Sequence, residues 1–301
     1  MEYARQQAEL RRLAAERDAV ILAHNYQRPE VQDAADFVGD SLELARQAAA
    51  TESSVILFCG VHFMAETAKI LSPHKTVLMP DPRAGCPMAN MVTPERLRAL
   101  KAEHPGAVVV AYVNTSAAVK AESDVCCTSS NAVQIVRRVP ARQPIIFVPD
   151  KNLGDWVMRE TGREMILWDG FCHVHADITA DDIQARKAEH PPAKVMAHPE
   201  CPRAVLDLAD VVTSTSGMLR FPAGDDAREY IVATETGLLH RLHQDYPDRR
   251  FVAATLNAVC PNMKLTTLEK AIEALDEGLN EIVVPPRISE RAARAVARMV
   301  A

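Results

Sequence analysis

The sequence predicts an α/β protein built from three pseudo-threefold-related α/β/α domains, each with a small parallel sheet, around a central active site. Three observations predict it. Helical patterns alternate with apolar, β-branched runs. The pentapeptide Lys-Ala-Glu-His-Pro occurs at 101–105 and again at 187–191, each time between a helix and a strand. The alanines that close comparable strands, Ala23, Ala111 and Ala197, lie 88 and 86 residues apart, a domain-sized period rather than that of a solenoid.

The elements follow in order. Leu10, Leu13 and Ala14 fall at helical spacing within 4–17, and a strand at 19–23 leads to His24-Asn25-Tyr26. Thr93 and Pro94 hold the cap and first-turn positions of the next helix. The strand at 107–111 then leads to Tyr112-Val113-Asn114. Thr179 caps a third helix, and a strand at 194–197 leads to His198-Pro199-Glu200. Each repeat is expected to continue with an apolar strand ending in small polar residues: Phe58-Cys59-Gly60, Thr128-Ser129-Ser130 and Thr213-Ser214-Thr215. A further helix and strand follow, with Pro80-Asp81 matching Pro149-Asp150. The expected divisions are 1–90, 91–175 and 176–286, with a C-terminal helix at 287–301 packing on the first. The competing architecture is one continuous doubly wound sheet. Ligands of open parallel sheets sit beyond the carboxyl ends of the strands, so His24, Tyr112 and His198 are expected to face one site.

Composition bounds the function. A net charge of −6 without a Lys/Arg stripe argues against a nucleic-acid partner. The N-terminal stretch MEYARQQAELRRLAAERD lacks an apolar signal region, and the apolar run at 108–113 is far too short to span a bilayer. A cytoplasmic protein is expected, with no membrane partner. In a reducing compartment, seven cysteines point to metal or catalysis rather than disulfides.

Cys86, Cys172 and Cys260 lie 86 and 88 residues apart, the period of the repeats, so each domain offers one loop cysteine. The chain has no Cys-x-x-Cys pair, which removes zinc ribbons and the ferredoxin pattern. Three converging thiolates fit a 4Fe–4S cluster with one iron lacking a protein ligand; a trigonal zinc site with an open position competes. Cys59, Cys126 and Cys127 read as core, and Cys201 carries no assigned role.

At this point the chain resembles the quinolinate synthase (quinolinate synthetase A) family. The resemblance is carried by His24-Asn25-Tyr26, Gly39-Asp40-Ser41, Gly85-Cys86-Pro87-Met88-Ala89 and Tyr112-Val113-Asn114. It continues through Trp168-x-Gly170-x-Cys172-x-x-His175, His198-Pro199-Glu200-Cys201, Thr213-Ser214-Thr215 and Cys260-Pro261-Asn262-Met263. The resemblance implies condensation of iminoaspartate with dihydroxyacetone phosphate to quinolinate, releasing phosphate and two waters, in de novo NAD biosynthesis. It implies a 4Fe–4S cluster on Cys86, Cys172 and Cys260, and a functional link to L-aspartate oxidase. The substrates are anions, so Ser41, Ser129, Ser214 and Thr215 are expected to bind carboxylate and phosphate at helix N-termini. His24, Tyr112, Asn114 and His198 are similar to the family's product-binding groups, and Lys264 is a candidate for the phosphate. Tyr26 and Glu200 match its acid–base residues, and His175 is a further candidate. A closed site is expected to raise the Glu200 pKa if desolvation dominates. The alternatives are another iron–sulfur hydro-lyase of hydroxy-dicarboxylates, or a non-enzymatic iron–sulfur sensor.

Overall fold

The computed structural model describes residues 2–300. Among the described residues, twelve strands form three separate sheets. The first sheet holds β1 (Ala19–His24), β2 (Phe37–Gly39), β3 (Val55–Cys59) and β4 (Thr76–Leu78). The second holds β5 (Val108–Tyr112), β6 (Val125–Cys127), β7 (Ile145–Val148) and β8 (Ile166–Leu167). The third holds β9 (Lys194–Ala197), β10 (Val211–Val212), β11 (Glu229–Ala233) and β12 (Arg250–Ala253). All pairings within them are parallel, and the order is the same each time: second, first, third, fourth. The three α/β/α units are therefore present, and the single continuous sheet is not. Helices cover both faces, which is why central strands such as Ile145–Val148 are buried at every residue and read as unbroken apolar runs.

Register makes the repeats comparable residue by residue. Ala23 pairs with Cys59, Ala111 with Val148 and Ala197 with Ala233. The same alanines pair on their other side with Val38, Cys126 and Val212. This corrects two expected matches. Phe58-Cys59 belongs to the third strand of its sheet, so the counterpart of Thr128-Ser129 and Ser214-Thr215 is Asp40-Ser41, just after β2. Asp150 lies two residues past Val148 and matches Val61 and Glu235, not Asp81, which follows β4. The physical reason is strand length: β2 spans three residues and β10 two, too short for an alternation or an apolar run to register.

The helices carry the expected signals. Thr93 and Thr179 accept the backbone N–H of Arg96 and Asp182, caps worth about 1 kcal/mol each. The helix Glu2–Glu16 buries Leu10, Leu13 and Ala14 in one apolar cluster with Leu268, Ala271 and Leu275 of the helix Leu268–Glu277, over the first sheet. That second helix lies in the span counted by sequence with the third repeat. The C-terminal helix Pro286–Val300 buries Ala292, Ala295, Val296 and Met299. It packs on the helices Ser41–Ala50 and His62–Leu71 of the first unit, and on β6 and the helix Ala117–Lys120 of the second. No helix among the described residues is long and apolar enough to cross a membrane.

Candidate active site

The carboxyl ends of β1, β5 and β9 open on one cavity. His24, Tyr112 and His198 each lie one residue past the paired alanines and line it, as do Tyr26, Asn114 and Glu200, two residues further on. Tyr26, Asn114 and Glu200 are thus one position in three repeats, filled by a phenol, an amide and a carboxylate. His24 and His198 are fixed alike. The backbone N–H of Tyr26 donates to His24 Nδ1 at 3.1 Å, and that of Glu200 to His198 Nδ1 at 3.3 Å. Each ring is then neutral with its proton on Nε2. His198 Nε2 donates to Ser129 Oγ at 3.2 Å.

Opposite these groups stands a wall of hydroxyls. Ser41, Ser129 and Thr215 each lie three residues past the partners of the paired alanines, and all three line the cavity. Ser41 and Thr215 are the first residues of helices capped by Asp40 and Ser214, which take the N–H groups of Leu42, Glu43 and Gly217. Neither Lys nor Arg lines the cavity among the described residues. Ser214 is placed differently from its sequence expectation: it is off the wall, caps its helix through Gly217 N–H and has Ser130 Oγ 2.9 Å from its own hydroxyl. Ser130 gives its one hydroxyl proton to Asp40 Oδ2, so one residue from each unit meets there. Lys264 likewise does not line the cavity; its Nζ is 2.9 Å from Glu235 and donates to the Tyr26 carbonyl.

One buried chain of polar contacts joins the expected acid–base residues. Tyr26 Oη is 2.6 Å from Thr234 Oγ1, which is 2.8 Å from His175 Nε2. His175 Nδ1 is 2.7 Å from Glu200 Oε2. The His175 ring stacks on His198 at 4.5 Å. Thr234 is not among the residues expected from sequence; it directly follows β11, as Gly60 follows β3 and Pro149 follows β7. Burial pulls His24 down to about 4, against Asp40, and pulls His198 down to about 3, assisted by His175. Burial pushes the Tyr26 and Tyr112 phenols well up, with Glu200 adding to it. The expected rise of Glu200 is overturned. Burial does raise it, but the charge and hydrogen bond of His175, with His198 and Tyr112, outweigh burial and hold it at about 2. Burial loses here because the His175 imidazole lies 2.7 Å from the carboxylate.

Cys86, Cys172 and Cys260 line the same cavity and are partly exposed, while Cys59, Cys126, Cys127 and Cys201 are fully buried. Cys201 is turned into the core of the third unit, its thiol on the Ala233 carbonyl at 3.4 Å. Each cavity cysteine stands just before a short helical turn: Met88–Asn90, His173–Ala176 and Met263–Leu265. Burial pushes the Cys86 thiol up to about 12, while the N–H groups of Ala89 and Met88 pull the other way. Met263 and Asn262 do the same for Cys260, and His175 for Cys172, in each case against a larger effect of burial. Sulfurs that meet backbone donors inside a low-dielectric cavity suit metal-bound thiolate, and an all-thiolate set suits iron–sulfur or zinc. Two further carboxylates hold these loops. Asp150 accepts Cys172 N–H at 3.1 Å and caps its own helix through Leu153 N–H. Glu235 accepts Cys260 N–H at 3.0 Å. The matching residue of the first unit is Val61, which has no such group.

Comparison with known proteins follows the same lines. The family model described as Quinolinate synthetase A protein matches residues 8–301. The chain is 54% identical over 294 residues to the quinolinate synthase of Desulforudis audaxviator (strain MP104C), covering 98% of this chain and 97% of that one. It is 54% identical over 295 residues to that of Methanoregula boonei, with the same coverage. The quinolinate synthase of Geobacter metallireducens is 53% identical over 293 residues, covering 97% and 96%.

Proposed function

The chain belongs to the quinolinate synthetase A family of enzymes, and from that premise we propose that it condenses iminoaspartate with dihydroxyacetone phosphate to quinolinate, phosphate and two waters, in de novo NAD biosynthesis. We propose a 4Fe–4S cluster held by Cys86, Cys172 and Cys260, with L-aspartate oxidase as the functional supplier of iminoaspartate. One observation carries the reading: three thiols, one from each repeat, share a cavity with a continuous buried acid–base chain and a cation-free wall of hydroxyls. When bound, the cluster supplies an iron free of protein ligands, a Lewis acid for the hydroxyl that leaves as water.

The side chains divide the remaining work. The hydroxyls of Ser41, Ser129 and Thr215 receive carboxylate and phosphate oxygens without a counter-charge. His24 and His198, neutral with Nε2–H, and Asn114 and Tyr112 orient the carboxylates from the other side. Glu200 is ionised beside His175, so the pair holds one proton on Nδ1 and can return it to substrate. Thr234 Oγ1 links the far nitrogen of His175 to the Tyr26 hydroxyl, so a proton taken at one end can be restored at the other.

Anaerobic purification with iron and sulfide counts, followed by an assay for quinolinate, tests the reading. A brown protein with about four irons per chain that makes quinolinate is expected. A fully loaded protein that makes none would sink the activity.

A further inference from the structure

We propose that the cluster-free chain holds a single divalent cation of the zinc class on Cys172, His175 and Glu200, a site that shares Cys172 and no other residue with the three-cysteine set. Cation binding stands on these three side chains alone; the consequence for cluster assembly rests on the reading above. Their donor atoms all lie within 4.8 Å of one another. His175 Nδ1 is 2.7 Å from Glu200 Oε2 and 3.3 Å from Cys172 Sγ. Tetrahedral zinc, with bonds of about 2.0–2.3 Å, separates its ligand atoms by roughly 3.2–3.8 Å, so the two pairs that include His175 Nδ1 need open only by fractions of an ångström, with thiol and carboxylate within 4.8 Å of each other. Thiolate, imidazole and carboxylate together are a donor set that zinc accepts.

The surroundings are also those of a metal site. A histidine bound through Nδ1 must carry its proton on Nε2 and give it to an outer partner. Thr234 Oγ1 already waits at 2.8 Å from Nε2. Glu200 is 3% exposed, and its Oε1 is buried with no hydrogen-bond partner, an oxygen that a cation would satisfy. Cys172 and His175 start one short helix, three residues apart, while Glu200 arrives from the segment after β9, so both sides of the cation are held by separate units. All three residues line the cavity. Cys172 cannot serve this cation and the cluster together, so zinc bound here blocks assembly.

Cobalt(II) added to anaerobic, cluster-free protein reads the site directly. One equivalent is expected to bind with a thiolate-to-cobalt absorption band that zinc abolishes. The Cys86→Ser/Cys260→Ser double variant should keep that band, and Cys172→Ser should lose it. His175→Gln and Glu200→Gln should each weaken cobalt binding by about tenfold or more. A band that disappears in the double variant would overturn the proposal, because the three cysteines would then be holding the cation; so would no binding at all. In a second arm, one equivalent of zinc bound beforehand should suppress iron uptake by the wild type. Unhindered uptake with zinc still bound would remove the blocking role. Wild-type protein that takes up no iron even without zinc would instead sink the cluster reading, leaving the cobalt result to decide this site.

Discussion

The loops that carry Cys86 and Cys260 differ from the loop that carries Cys172. The first two continue cysteine–proline and pass at once into a single 3-10 turn, Met88–Asn90 and Met263–Leu265. The third continues His-Val-His as a short helix, and its His175 reaches both Glu200 and Thr234. Repetition preserves what all three loops must do, which is to present a sulfur with backbone donors around it. It is broken where the second loop adds His175, which meets a carboxylate and a hydroxyl. The buried carboxylates follow another asymmetry: Asp150 and Glu235 hold the second and third loops, and Val61 leaves the first without such a hold.

The largest expected effect treats the three loops as equal. Cys86→Ser, Cys172→Ser and Cys260→Ser should each lose or cripple the brown chromophore, while Cys59→Ser and Cys126→Ser, at fully buried positions, should keep it. Full iron and sulfide content in Cys172→Ser would break the comparison at its base.

Next come the changes that should separate the loops. Tyr26→Phe, Glu200→Gln and His175→Gln remove the groups proposed to move protons and leave the three cavity thiols in place. Each should retain the chromophore yet turn over roughly 10²–10⁴-fold more slowly, with quinolinate affinity much less affected. Near-wild-type rates in all three would show that the acid–base chemistry lies elsewhere in the cavity.

A smaller effect is expected at the carboxylate holding the Cys172 loop. Asp150→Ala leaves both Cys172 N–H and Leu153 N–H unpaired and should cost about 1–3 kcal/mol. Denaturant titration reads that cost, and iron release to a chelator should be faster than in Val61→Ala. Equal release from both variants would mean that Asp150 serves its helix alone.

The smallest effect concerns acid. His24, ordinarily near 6.5, is pulled down to about 4 in the folded chain, so the unfolded chain binds more protons between those values. Its contribution to stability is complete above pH 6.5 and is lost as the pH falls toward 4. His24→Gln should therefore lose less stability than the wild type between pH 7 and pH 5. Parallel losses in the two proteins would place the proton uptake on other groups.

The sequence by itself determined the threefold repeat, the fold class, the three loop cysteines and the helix starts at Thr93 and Thr179. These follow from chain-local rules: apolar spacing, capping chemistry and a period of 86 to 88 residues, each written in the order of residues. Tertiary structure alone decided that Thr234 bridges Tyr26 and His175, and that Lys264 is taken up by Glu235. It also set Ser214 behind the wall and the helix Leu268–Glu277 over the first sheet. Glu200 shows the reason most directly. A buried carboxyl reads from sequence as one whose pKa rises, yet it is held at about 2 because His175, a side chain 25 positions earlier, lies 2.7 Å away. Burial and charge depend on neighbours brought together by folding, and one-dimensional spacing carries no information about their distances.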